Sequence, residues 1–193
     1  MATSVLQPRH TALRLPQGRR VPRGRTRWYA LSVPEGREES IARDVRKLVP
    51  ADLLCDVFAI RKEYWVKRGG AWSLNSKIAY AGYLFGQTAD PAGLQKALAQ
   101  LTLPVSLVGA HGYAWAPLAP EAEAWLKRAL DAGHVLRSST ALVEDGKLRV
   151  VSGPLRGMEG RLRDVDSHRR RCMVDIADAD GGFSELMPLE VRK

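Results

Sequence analysis

Along residues 28–133 the apolar positions switch between a spacing of two and a spacing of three or four, the marks of strand and helix. Trp28-Tyr29-Ala30-Leu31-Ser32-Val33 is apolar with period-two character and is closed by Pro34-Glu35-Gly36, which predicts a strand. Ile41, Val45 and Leu48 then follow at helical spacing behind Glu38 and Glu39, acids placed where a helix dipole favours them, and Pro50 ends that helix. Residues 56–66 are rich in Val, Phe, Ile, Tyr and Trp and predict a further strand. Arg68-Gly69-Gly70 is a turn, after which Trp72 and Leu74 resume an extended segment. Residues 78–87 predict another aromatic strand, with Gly82 inside it. Asp90-Pro91 has the form of an N-cap followed by proline at the first helical position, and Leu94, Leu98 and Leu101 supply the stripe of a second helix. A loop-rich stretch with Pro104, Gly109, Gly112 and Pro117 precedes a third helix, which starts at Pro120-Glu121 and is stopped by Gly133.

This order predicts an α+β domain over residues 28–133, with helices packed on a largely antiparallel sheet. Residues 134–142, including Arg137-Ser138-Ser139-Thr140, read as a linker and a flexible tether. In residues 143–193 the helical period vanishes. Residues 147–151, 161–166, 171–176 and 183–191 are short strand candidates between Gly, Asp and Ser turns, which suggests a small β-barrel. Cys172, Val174 and Ile176 alternate with Met173 and Asp175, so one face of that strand is suited to a core.

Charge changes the picture at one end only. The chain has 193 residues with 30 basic and 21 acidic side chains, a formal charge of +9. Residues 1–27 hold seven arginines and no acid, so the remainder carries 23 basic against 21 acidic groups and is nearly neutral. The first 27 residues lack periodicity and include Pro8, Pro16 and Pro22, the composition of a disordered tail. Three readings of it stay open: a grip on nucleic-acid phosphates, an organellar transit peptide, or an incidental extension. No apolar run is long enough to cross a bilayer. Cys55 and Cys172 cannot make a disulfide framework or a four-thiolate zinc site, which points to a reduced, cytoplasmic protein.

Catalysis finds no support in the motifs. His10, His111, His134 and His168 are scattered without metal-ligand spacing, and neither a nucleophile-elbow nor a phosphate-loop signature occurs. The expectation is a protein with no enzymatic activity, cofactor or metal.

Four segments together resemble a known family. Trp28-Tyr29, Gly36-Arg37-Glu38 heading a helix, and Tyr80-Ala81-Gly82-Tyr83-Leu84-Phe85 resemble the N-terminal domain of the NusG transcription factors. Gly153-Pro154-Leu155-Arg156-Gly157-Met158-Glu159-Gly160 resembles the KOW motif of that family's C-terminal domain. The stretches 62–72 and 134–137 look similar to a specialised paralogue of the LoaP or RfaH kind. The resemblance implies an N-terminal antiparallel sheet with flanking helices, then a small SH3-like barrel. It also implies a monomeric elongation factor that binds RNA polymerase and promotes processive antitermination. A ribosome-associated KOW protein binding structured RNA is the alternative.

What the family implies for residues is specific. Tyr80, Tyr83 and Phe85 match the polymerase-binding patch. Strand alternation puts Tyr83 and Phe85 on one face and Tyr80 on the other, unless the chain turns at Gly82. Arg37, Lys62, Lys67 and Arg68 are candidate phosphate ligands for non-template DNA or a nascent RNA hairpin, with ordinary solvated charge as the alternative. Gly153, Pro154, Gly157 and Gly160 are the KOW residues, expected to form a turn and a bulged, tightly curved ribbon. Arg169-Arg170-Arg171 is either an RNA contact or a charged hairpin tip. The family's barrel binds a small-subunit ribosomal protein and Rho through an apolar loop. Here residues 177–183 are acidic and glycine-rich, which argues against Rho.

Overall fold

A computed structural model of the protein describes residues 25–111, 114–177 and 183–192. β1 (Arg27–Ser32) leads to α1 (Glu38–Leu48), β2 (Asp56–Phe58), β3 (Arg61–Arg68), β4 (Ala71–Ile78) and β5 (Tyr83–Thr88). Then come α2 (Pro91–Ala99), the two-residue strands β6 (Ser106–Leu107), β7 (Ala110–His111) and β8 (Ala114–Trp115), and α3 (Pro120–Ala129). The remainder is β9 (Val135–Leu136), β10 (Ser139–Glu144), β11 (Lys147–Ser152), β12 (Leu162–Asp166), β13 (Arg171–Asp175) and β14 (Ser184–Arg192). The architecture is mixed α+β.

The first half is built on an antiparallel sheet in the order β2-β5-β1-β6. Alternation along β1 sends Tyr29 and Leu31 to one face, where they meet Ile41 and Val45 of α1 and Leu94 and Leu98 of α2. Trp28 points the other way, into a second core with Phe58, Phe85 and the α3 residues Trp125 and Leu126. α2 starts as its sequence dictates: the Asp90 side chain accepts from the Gly93 amide at 2.9 Å, and Pro91 opens the first turn.

The second half is a five-stranded sheet in the order β11-β10-β14-β13-β12. β14 serves two neighbours in succession. Residues 184–188 pair antiparallel with β13 and residues 189–192 pair parallel with β10. Pro188, which has no amide hydrogen to give, lies where one pairing hands over to the other. Cys172 and Val174 face the core, as their alternation with Met173 and Asp175 predicts.

The two halves share one apolar core. Trp28, Phe58, Phe85 and Trp125 belong to the same buried cluster as Ala141, Val150, Cys172, Val174, Met187 and Leu189. Residues 134–142 are accordingly no free tether. β9 pairs in parallel with β3, and β10 begins at Ser139. Glu63 holds the same stretch, accepting from Arg137 Nη1 at 2.8 Å and from the Ser138 amide at 2.6 Å. His134 lies flat on Phe58 with ring centres 3.6 Å apart.

Three further expectations need correction. Residues 56–66 are two strands, because β2 pairs with β5 while β3 pairs with β4 and β9, and the chain changes sheets at Ala59-Ile60. Residues 78–87 are likewise interrupted. Gly82 adopts φ +79° and turns the chain between β4 and β5, its amide donating to Glu38 at 2.7 Å and its carbonyl accepting from Val33. Finally, Arg27 belongs to β1 rather than to the tail, and pairs with Glu123 of α3 at 2.7 Å. Residues 1–24 lie outside the described residues, as do residues 178–182 of the acidic loop.

Candidate interaction surface

The Gly82 turn separates the three aromatics expected to act together. Phe85 follows strand alternation into the core between the halves and is fully buried, packed near Phe58. Tyr80 stands before the turn and packs edge-on against Phe85 at 5.4 Å. Its hydroxyl donates to Glu185 Oε2 of β14 at 2.9 Å, and burial together with the Glu185 charge holds its pKa well above the usual phenol value. Tyr83 is the exposed member, with 42% of its surface open. Thus Tyr80 and Phe85 form one packed pair and Tyr83 stands apart. In this arrangement Phe85 has no surface to offer a partner.

The candidate cations also divide. Lys62 is not a free surface charge. Its ammonium donates to Glu185 Oε1, with side chains only 13% and 11% exposed. One carboxylate therefore takes both Lys62 and Tyr80 from the first half. Lys67 and Arg68 are exposed at the end of the β3–β4 hairpin, and Arg37 is exposed just before α1. Lys67 and Arg68 share the hairpin end but, as consecutive strand residues, point to opposite faces of it, and Arg37 lies on another element.

The KOW residues have unequal roles. Gly153 takes φ +91° and lies so close to Ser139 that an added Cβ would sit 2.6 Å from its Cα. The buried Ser139 hydroxyl accepts from the Leu155 amide at 3.1 Å, which ties the turn to β10. Gly157 turns the chain with φ +76°, in open space. Gly160 lies in a short 3-10 turn, Glu159–Arg161, with nothing within 4 Å of its Cβ position. Gly157 and Gly160 therefore serve turns after β11, not a bulged ribbon.

The sequence pattern singled out Lys62, Tyr80 and Arg170 for other roles and gave no sign that they hold the halves together. Trp65 donates from its indole nitrogen to Ser138 Oγ at 3.0 Å. Arg170, in the turn between β12 and β13, places its guanidinium carbon 4.4 Å from the Trp65 ring centre and 4.9 Å from that of Trp72. It also pairs with Glu190 at 2.9 Å. Partners such as Lys62 and Glu185 lie 123 positions apart, so local periodicity carries no trace of them. Among the described residues, no helix is long and apolar enough to cross a membrane.

No family model matches this chain, and no curated protein matches it. A solved structure described as "Domain interaction in Thermotoga maritima NusG" aligns over 85% of this chain and 94% of its own, at 15% identity and a TM-score of 0.43. That likeness is loose and assigns no function to this chain.

Proposed function

We propose that this chain is a NusG-type transcription elongation factor that binds RNA polymerase and promotes processive antitermination, without catalysis of its own. Support comes from the Trp28-Tyr29 strand, the Gly153-Pro154 turn and their order in the chain, which resemble that family. The observation that carries the reading is Tyr83. The other aromatics of β1 and β5, Trp28, Tyr29 and Phe85, are buried, whereas Tyr83, paired with Ser32 at the start of β5, keeps 42% exposure. An aromatic left open beside a packed sheet face offers a large, rigid contact area to a protein partner. Tyr80 and Phe85 would join that surface if the second sheet moved off the Lys62 and Tyr80 contacts to Glu185. Lys67 would then face the nucleic acid that the polymerase carries.

The test is capture of core RNA polymerase by the purified full-length protein. Tyr83→Arg buries a charge in the proposed contact and should weaken capture at least about tenfold, which is about 1.4 kcal/mol. Glu185→Ala loosens the cover over Tyr80 and should strengthen capture. If Tyr83→Arg binds as well as the wild type, the anchor assignment is wrong. Co-sedimentation with ribosomes and no polymerase capture would instead favour the ribosome-associated reading.

A further inference from the structure

Trp65 and Trp72 lie on the same face of the β3–β4 hairpin, since the register pairs Trp65 with Leu74 and Lys67 with Trp72. Neither belongs to a buried core. What covers them is Arg170, a single flat cation within 5 Å of both ring centres. Arg170 reaches them from a turn where its φ is +51°, a left-handed backbone conformation that non-glycine residues rarely adopt. The two indoles are thus spaced to accept one planar, electron-poor group. Lys67, directly opposite Trp72 on that same face, places Nζ 5.9 Å from the Trp72 ring, so the rim of the pair carries a cation.

We propose that Trp65 and Trp72 form a stacking site for an unpaired base of a single-stranded nucleic acid, occupied in this structure by Arg170. A base offers the flat face that the guanidinium now presents, and Lys67, on the same face of the hairpin, meets an adjoining phosphate. Arg170 is then a competitor carried by the second sheet, and a strand binds by displacing it. Glu190, which Arg170 now engages, keeps Arg192 as an ion-pair partner at 2.8 Å when Arg170 leaves.

The sign of one substitution separates this from ordinary charge attraction. Arg170→Ala removes a positive charge, so electrostatics alone predicts weaker binding to a polyanion. Vacating the stacking site predicts tighter binding, by the roughly 2- to 30-fold with which a guanidinium held on aromatic faces competes. The experiment is a tryptophan-fluorescence titration of the full chain with twelve-residue oligodeoxythymidine and oligouridine at about 0.15 M salt. Arg170→Ala should tighten binding to at least one strand, with the two arms telling DNA from RNA. Adding Trp72→Ala should abolish the gain, and adding Trp72→Phe, which keeps an aromatic face on the exposed hairpin, should preserve most of it. Unchanged or weaker binding by Arg170→Ala overturns the proposal. So does a gain that survives Trp72→Ala, because the strand would then bind a surface opened elsewhere. No polymerase is present, so failure here leaves the Tyr83 reading untouched.

Discussion

Glu185 is the residue whose removal tests most directly how the two halves are joined. Its carboxylate accepts from Lys62 Nζ and, at 2.9 Å, from the Tyr80 hydroxyl, while the Lys62 and Glu185 side chains are only 13% and 11% exposed. Replacing Glu185 by Gln keeps the shape and an acceptor for Tyr80 but strands the Lys62 ammonium in a mostly dry site. Removing one member of a fully buried ion pair costs about 3–5 kcal/mol. With a tenth of each group still wetted, about 2 kcal/mol is the reasonable expectation here. Lys62→Met alone strands the carboxylate and should cost about as much, while the double variant strands neither. The double variant should therefore lose only about 1–2 kcal/mol in place of the roughly 4 expected from additivity, a coupling of about 2–3 kcal/mol. Equilibrium unfolding in urea at pH 7 measures this, followed by both tryptophan fluorescence and circular dichroism. The shared core predicts that the two probes report a single transition in the wild type. Half-molar salt should leave most of the coupling intact, because the pair is shielded from solvent. Additivity within about 0.5 kcal/mol would refute the idea that this contact binds the halves energetically.

Other outcomes follow from single positions. Gly153→Ala should destabilise by about 2–4 kcal/mol, since its φ is +91° and the new Cβ meets backbone at 2.6 Å, whereas Gly160→Ala, with open space around it, should change stability by less than about 1 kcal/mol in thermal melts. Phe85→Ala should cost about 3–5 kcal/mol by opening a cavity in the shared core, so a weakened polymerase interaction in that variant counts only if its melting transition is first shown to be intact. Glu38 gives a pH signature. Burial pushes its carboxyl pKa up, but hydrogen bonds from the amides of Gly82, Glu38 and Gly36 outweigh this and leave it below the usual carboxylate value. The stability it contributes is therefore present above the unfolded pKa of about 4.3 and is lost as pH falls through the lower folded value. Glu38→Gln should be less stable than the wild type by about 1–2 kcal/mol at pH 7, and the gap should narrow in urea titrations run at pH 3.

How much of this fold can be read from sequence depends on where each element finds its partners. α1, α2 and α3 declare themselves because a helix satisfies its own backbone, and its apolar stripe and caps lie within a dozen residues: Ile41 and Val45, Asp90 and Pro91, Trp125 and Leu126. Strands declare only their composition. Residues 56–66 carry apolar and aromatic side chains on both sides of Arg61-Lys62-Glu63 with no glycine or proline between them, so no turn signal marks Ala59-Ile60 as the point where the chain leaves one sheet for another. The stretch 134–142 misleads for the converse reason. Polar serines and an arginine look like a linker, yet Ser139 is fully buried, its hydroxyl bound to Leu155, and Arg137 is held by Glu63 and Asp131. Small polar residues build a close approach as readily as a loop, and the difference lies in partners distant in sequence.

The candidate site shows the same divide more sharply. Tyr80, Tyr83 and Phe85 are adjacent in sequence and alike in chemistry, and composition cannot rank them. The ranking comes from the turn at Gly82, which leaves Tyr83 in solvent, and from β14, whose Glu185 claims Tyr80 105 positions away. A protein whose interaction surface is partly covered by its own second sheet hides that surface from any reading of local pattern. The covering residues, Arg170 and Glu185, look in sequence like ordinary surface charges. Their tryptophan, tyrosine and lysine partners identify them as contacts between halves, and each such contact is one that a competing partner must replace with something of equal strength. A guanidinium on two indoles and a carboxylate shared by an ammonium and a phenol are polar contacts, worth a few kcal/mol each at most. They are strong enough to hold the halves together and weak enough for a larger ligand surface to displace, as binding at Tyr83 or at the tryptophan pair requires.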